Sequence, residues 1–348
     1  MSSYLREYTN ALIGRSSVTT GLLTSVGPLE NPVEADRSSP TFQPTKRKTR
    51  PIEIRRIIRP MRGGSQARLV EGEDGRFYVA KFTGNPQGNR TLVNEWITQP
   101  IMTVLGISTP PVRLLRLPDS LRDETLSFEV NNKKMRVEGE WHLGSLCPVN
   151  PETKIIFDFL PQRFLNNVSN LDDFAKVFVL DRWLYQLDQR QAIFVQERSS
   201  QPGQRRFRAY FVDHGMAFAG SAWDLREASG HGLYRDRNVY SLVDMSDVCN
   251  QTVSQIESLT EKEVFSPLKT LPESWLSPGS KSKLTRLLKK LLANRSGLRR
   301  LVASQLDSIA GRKHVSSITG ERFAEDITRK RMAMATDSGT RTVACYGS

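Results

Sequence analysis

Residues 188 to 215 leave this chain the least freedom. Ala192-Ile-Phe-Val195 and Phe207-Arg-Ala-Tyr-Phe-Val212 read as two short strands, and the polar Ser199-Ser-Gln-Pro-Gly-Gln204 between them carries Pro and Gly where a turn needs them. Antiparallel strands joined in this way bring the start of the first beside the end of the second. Asp188 and Gln191 at one base are therefore expected to meet Asp213 at the other. Two carboxylates and an amide oxygen form a hard-oxygen site that suits Mg²⁺ once phosphate or water completes the octahedron. An aspartate beside such a metal can orient an attacking hydroxyl and accept its proton. Hairpin geometry alone leaves a second reading equally open, in which both aspartates are exposed strand-end or turn residues.

The upstream half adds further groups. Arg62-Gly63-Gly64-Ser65-Gln66 precedes a strand, and adjacent glycines free a backbone to point its N–H groups at phosphate oxygens. Arg68 to Val70 and Phe77 to Phe82, joined at Glu73-Asp74-Gly75, read as a β-hairpin. Lys81 falls inside its second strand, between Ala80 and Phe82, so it needs either a solvent-facing side or an anionic partner. A helix is expected over 90–105, with Val93, Ile97, Ile101 and Leu105 as one buried stripe, ended by Gly106 and by Pro110-Pro111. Glu95 on that helix can supply the partner for Lys81, leaving the lysine to reach nucleotide phosphates. Glycine loop, strand lysine, helix glutamate and two distal aspartates, in that order, share out the work as a protein-kinase-like site does.

The rest of the chain fits around this set. Strands are expected over 112–117, 125–130 and 133–137, the last two joined at Asn131-Asn132. From Pro161 the pattern turns helical: Asn170 is expected to cap a helix with Asp172 and Asp173 in its first turn, and residues 240–306 are helical again. There Leu284, Leu287, Leu288 and Leu291 share a face opposite Lys283, Arg286, Lys289 and Lys290. The fold class is α+β and bilobal. Residues 1–50 form a loosely ordered segment, 51–155 a β-rich N-terminal lobe, 156–308 a mainly helical C-terminal lobe with the metal site, and 309–348 a tail. The basic run of Lys46, Arg47, Lys48, Arg50, Arg55, Arg56, Arg59 and Arg62 is read as a linker flank.

Composition sets the outer limits. No apolar run approaches the ~20 residues that cross a bilayer, and Met1 to Leu12 holds no compact apolar segment of a signal peptide. Cys147, Cys249 and Cys345 are widely spaced, so a reduced, cytoplasmic protein is expected. The excess of 50 basic over 37 acidic residues, net +13, suits polyanionic partners or is simply an arginine-rich solvated surface. His142 and His231 have no ligand partners at metal spacing, and His214 is read as a packing residue beside Asp213. Trp96, Trp183 and Trp275 read as core anchors.

Over residues 55 to 305 the chain resembles the HipA-like kinase domains of bacteria. The resemblance is carried by Met61-Arg-Gly-Gly-Ser-Gln66, Tyr78-Val-Ala-Lys81, Asn85-Pro-Gln87, Leu92-Val-Asn-Glu-Trp96, His142-Leu-Gly-Ser145 and Phe157-Asp-Phe-Leu-Pro161. Asp181-Arg-Trp183, Asp188-Gln-Arg-Gln191, Val212-Asp-His-Gly215 and Leu271-Pro-Glu-Ser-Trp275 continue it in order. It implies a bilobal kinase-like fold with ATP in the interlobe cleft. Position by position it implies Asp188 as catalytic aspartate, Asp213 as main Mg²⁺ ligand and Gln191 where the family has a metal-binding asparagine. Lys81 would contact ATP phosphates and pair with Glu95, and Gly63, Gly64, Ser65 and Gln66 would cover the phosphates.

Three functions follow, in decreasing order of support. The first is an ATP- and Mg²⁺-dependent kinase that passes the γ-phosphate to a serine or threonine hydroxyl of an unidentified protein. The second is a nucleotide-binding pseudokinase or adaptor whose basic segments hold an anionic partner, motivated by the glutamines Gln186 and Gln191. The third, nucleic-acid binding through the basic residues of 46–62 and 281–300, lacks a recognition fold or a stacking pattern.

Overall fold

The structure, a computed structural model, describes residues 50–122, 126–199, 203–225 and 232–306. The expected segment 1–50, apart from its last residue, and the tail 309–348 lie outside the described residues, as do Lys46, Arg47, Lys48, His231 and Cys345.

A closed five-stranded barrel forms the first half, with strands in the order β1 (Ile52–Pro60), β2 (Arg68–Gly72), β3 (Phe77–Lys81), β7 (Trp141–Leu146) and β4 (Val112–Arg116). Neighbouring strands are antiparallel except β1 and β4, whose short parallel pairing closes the ring. The β2–β3 turn has Gly75 at φ +71°, and Asp74 accepts from the Arg76 N–H and the Tyr78 hydroxyl. Apart from it, β5 (Ser127–Val130) and β6 (Lys133–Arg136) pair through Asn131 and Asn132, both at positive φ, the geometry a two-residue hairpin turn requires. Ile54, Val70, Tyr78, Ala80, Phe82 and Leu115 fill the barrel.

The reading of 55–62 as linker flank does not hold for β1. Arg55 and Arg56 lie within a strand and pair with Glu71 on β2, and Arg56 also with Glu152. Charges on both faces of an edge-like strand hid its pairing partners, which lie on other elements.

Helix α1 (Asn89–Val104) follows the barrel hairpin, close to its expected bounds. Its expected stripe is buried, but so are Thr91, Asn94, Glu95 and Thr98 on its other sides. Buried polar groups on such a helix need partners inside the protein, and Asn94 and Glu95 find theirs at the site described below. The apolar residues of α1 join the larger of the two hydrophobic clusters among the described residues, where Trp96 meets Trp275 edge-on at 5.9 Å.

That larger cluster is built on a three-stranded sheet, β10 (Arg206–Val212), β9 (Gln191–Glu197) and β8 (Ile156–Phe157), and on α2 (Asp172–Trp183). Helices α3 (Met245–Ser258), α4 (Glu261–Phe265) and α5 (Ser280–Ala293) complete it. In α5 Leu284, Leu287, Leu288 and Leu291 are all buried, as the spacing predicts. Asn170 does not cap α2: the residue before the helix is Leu171, with no side-chain cap. Asn170 instead bridges to β10, accepting from the Ala209 N–H and donating to the Ala209 carbonyl and to Asp173. An exposed amide would have capped the helix, but here a strand edge competes for it. Among the described residues, no helix is long and apolar enough to cross a membrane.

Candidate active site

The hairpin β9–β10 pairs residue by residue from Glu197↔Arg206 to Gln191↔Val212 without a register shift. It therefore delivers Gln191 and Asp213 to the same end of the sheet, and Gln191 Nε2 donates to Asp213 Oδ2 at 3.0 Å. Asp188 lies just before this base and is half-buried. Its backbone is fixed from two sides: the Gly232 N–H donates to the Asp188 carbonyl at 3.0 Å, and the neighbouring Leu187 N–H donates to Met216.

Lys81 reaches the same point from the barrel. Its ammonium donates to Asp213 Oδ1 at 2.8 Å and to Glu95 Oε1 on α1. Lys81 and Glu95 are 8% and 2% exposed, so each needs the other. Burial works to lower the lysine, yet the Glu95 and Asp213 carboxylates outweigh it and hold the ammonium above its ordinary range. Burial raises the Glu95 carboxyl, with Lys81 opposing the rise. Asp213 also feels burial, but the Lys81 charge and hydrogen bond leave its carboxyl below the usual range. Asp213 itself adopts φ +59°, a left-handed conformation that non-glycine residues hold only where surroundings enforce it.

Those surroundings are polar, and sequence reasoning assigned no role to Arg190, Asp181 or Thr109 among them. The Arg190 guanidinium forms a buried two-point pair with Asp181 and donates to His214 Nδ1 at 2.8 Å. With Nδ1 accepting, Nε2 carries the ring proton and faces the Thr109 hydroxyl at 3.1 Å, which in turn donates to the Phe211 carbonyl. Burial, helped by Arg190, keeps the His214 imidazole neutral. His214 thus braces Asp213 from behind, in keeping with its reading as a packing residue. Asp181 and Arg190 stood inside conspicuous sequence blocks, but only the fold shows that they meet.

The glycine loop is held by contacts of its own. Gly63 and Gln66 take φ +123° and +49°. Gly64 packs so near Gln87 that a Cβ would stand 3.0 Å from its side-chain nitrogen. Ser65 is buried. The Gln66 amide is committed to β5, donating to the Glu129 carbonyl and accepting from its N–H. These hydrogen bonds tie Gln66 to β5 rather than to Lys81 or Asp213.

No group of three or more His, Cys, Asp or Glu side chains among the described residues is arranged to cage a metal ion. Magnesium sites built from one or two carboxylates and completed by phosphates do not need such a cage. Asp213 and Gln191 offer hard oxygen donors of that kind, once the Gln191 amide turns its oxygen forward.

Residues 54–301 match the family model described as HipA-like kinase, and the chain belongs to that family of kinases. No curated protein sequence matches it. Among solved structures it is similar to the Helicobacter pylori proinflammatory kinase CtkA, at 13% identity and a TM-score of 0.38, over 71% of this chain and 95% of that one. It is also similar to the Golgi casein kinase, at 13% identity and a TM-score of 0.39 over 71% and 72% of the two chains. The Mn/ADP-bound form of the latter has 13% identity and a TM-score of 0.38 over the same shares.

Proposed function

We propose that this HipA-like kinase transfers the γ-phosphate of ATP to a serine or threonine hydroxyl of a protein. The observation that carries the reading is Lys81, held between Glu95 and Asp213 by elements from three parts of the chain. A permanently charged lysine so fixed can hold nucleotide phosphates, and Glu95 keeps it aimed while no nucleotide is present. Asp188, at the base of the hairpin, orients the acceptor hydroxyl and takes its proton as the oxygen attacks phosphorus. Gly63 to Gln66 cover the phosphates through backbone N–H groups, which leaves the Gln66 side chain free to anchor the loop on β5. Asp213 and Gln191 would hold Mg²⁺. When bound, that ion neutralises charge on the β- and γ-phosphates. In this reading residues 51–155 and 156–308 are the two lobes, the nucleotide lies between them, and the protein works in the cytoplasm.

One observation favours the pseudokinase reading. Gln191 presents its nitrogen, not its oxygen, to Asp213, an arrangement that satisfies the carboxylate without a metal. The test is incubation with Mg²⁺ and γ-labelled ATP, alongside Asp188→Asn and Asp213→Asn. Label on the protein or on an added acceptor, lost in both variants, supports the kinase. ATP binding with no transfer to any acceptor supports the pseudokinase, and absence of nucleotide binding defeats both.

A further inference from the structure

Asn94 lies fully buried on α1, beside Glu95. Its Nδ2 faces three backbone carbonyls of the segment that follows Asp213: Gly215 at 2.7 Å, Ala217 at 2.8 Å and Gly220 at 3.1 Å. Its Oδ1 accepts from Trp223 Nε1 at 2.7 Å. One side chain thus uses both ends of its amide to hold a nine-residue stretch, 215–223, against the helix. Four residues earlier on α1, Arg90 donates to the Ser221 carbonyl at 2.7 Å and lies over the Trp223 ring at 4.7 Å. Gly215 approaches so closely that a Cβ there would stand 3.2 Å from Thr91 and 3.4 Å from Glu95 Oε1.

The held segment does not take its shape from local preference. Asp213, Phe218, Ala219 and Trp223 all have φ between +53° and +59°, where side-chain-bearing residues are strained. Tyr185, whose carbonyl receives the Ala219 N–H, has φ +53° as well. A stretch with this much unfavourable backbone relaxes when its external bonds are removed. Asn94 supplies the largest set of those bonds, and its neighbour in sequence is the partner of Lys81.

We propose that Asn94 is a positioning residue that fastens the 215–223 segment to α1, so that Glu95 stays on Lys81 only while that segment is docked. Order in the segment and aim of the phosphate-binding lysine become one event. Any acceptor or partner that displaces residues 215–223 would release Lys81 without touching it. The catalytic consequence rests on the role given to Lys81, Glu95 and Asp213 above, whereas the coupling itself does not.

The test uses the full chain with Asn94→Leu, which keeps the branched shape and removes both polar ends of the amide, and Arg90→Ala on the more exposed rim. Hydrogen exchange across 215–223 and the rate at which a small amine-reactive ester acylates Lys81 are read without nucleotide, with Glu95→Gln marking the rate of a lysine that has lost its Glu95 partner and kept Asp213. Loss of buried hydrogen bonds predicts exchange faster by about tenfold and acylation faster by about fivefold in Asn94→Leu, with smaller rises in Arg90→Ala. In turnover, kcat falls by about tenfold while the KM for ATP stays within about threefold. Faster exchange with Lys81 acylation at the wild-type rate overturns the coupling, as does no change in either. If wild-type protein shows no turnover, the kinase reading fails while exchange and acylation still decide this one. If Asn94→Leu does not fold, the same pair of readouts in Arg90→Ala decides it.

Discussion

Lys81 donates to Asp213 at 2.8 Å across a separation of 132 residues, so the barrel and the β9–β10 hairpin meet at a single ammonium. The same ammonium satisfies Glu95. Lys81→Met should therefore strand the buried Glu95 carboxylate and take the cation from the half-buried Asp213. Removing one partner of a buried ion pair costs about 3–5 kcal/mol, and urea unfolding should show a loss of that order together with loss of transfer. Lys81→Met with Glu95→Gln should recover part of the stability and none of the activity. A double variant as unstable as the single would contradict the pairing.

Arg190 makes the next prediction. Its guanidinium is spent on Asp181 and on His214, the residue next to Asp213. Arg190→Met should be destabilising by about 3–5 kcal/mol because Asp181 is left charged and buried, and Asp181→Leu added to it should restore much of that. Calorimetric melting of the singles and the pair gives the coupling directly.

Gly232 has φ +78°, and a Cβ there would meet Asp181 Cβ at 2.6 Å. Its N–H holds the Asp188 carbonyl. Gly232→Ala should thus cost about 1–3 kcal/mol from overpacking and strain, and should lower kcat more than the KM for ATP. Unchanged melting and kinetics would show that this backbone bond does not set the position of Asp188.

Acid should weaken the fold through His142. Burial, with Arg122 adding to it, lowers its pKa to about 3, and its Nδ1 accepts from the Thr83 N–H. The unfolded chain binds a proton near pH 6.5 and the folded one does not. The contribution of His142 is complete above about pH 6.5 and falls by about 1.4 kcal/mol per pH unit below it, until the pH nears the folded value. His142→Gln should flatten this slope in urea titrations run between pH 7 and 5, and an unaltered slope would rule the histidine out.

Much of the local structure was legible because it is written in short-range chemistry. Asp74-Gly75 and Asn131-Asn132 announced their hairpins, the α5 leucines their buried face, and Lys81 its need for a carboxylate. What stayed hidden depends on long-range pairing. Strand β7, which holds β3 and β4 together, carries Gly144 and His142 and no β-branched residue, and its stability comes from neighbours on both edges. Gly144 is needed there because a Cβ would meet Leu115 at 2.6 Å. Asn94 was likewise invisible: an asparagine beside a glutamate in a helix looks solvated until three carbonyls arrive from more than a hundred residues away.

The unbroken β9–β10 ladder has a consequence for how this protein can vary. Between Glu197 and Arg206 the chain may gain or lose residues at small entropic cost, because loop closure changes slowly with length. Inside the ladder one added residue, unless taken up as a bulge, turns every later side chain to the opposite face, and Asp213 would leave Lys81. Relatives that keep this chemistry are expected to differ freely in length at the hairpin tip and to preserve the residue count from Gln191 to Glu197 and from Arg206 to Asp213.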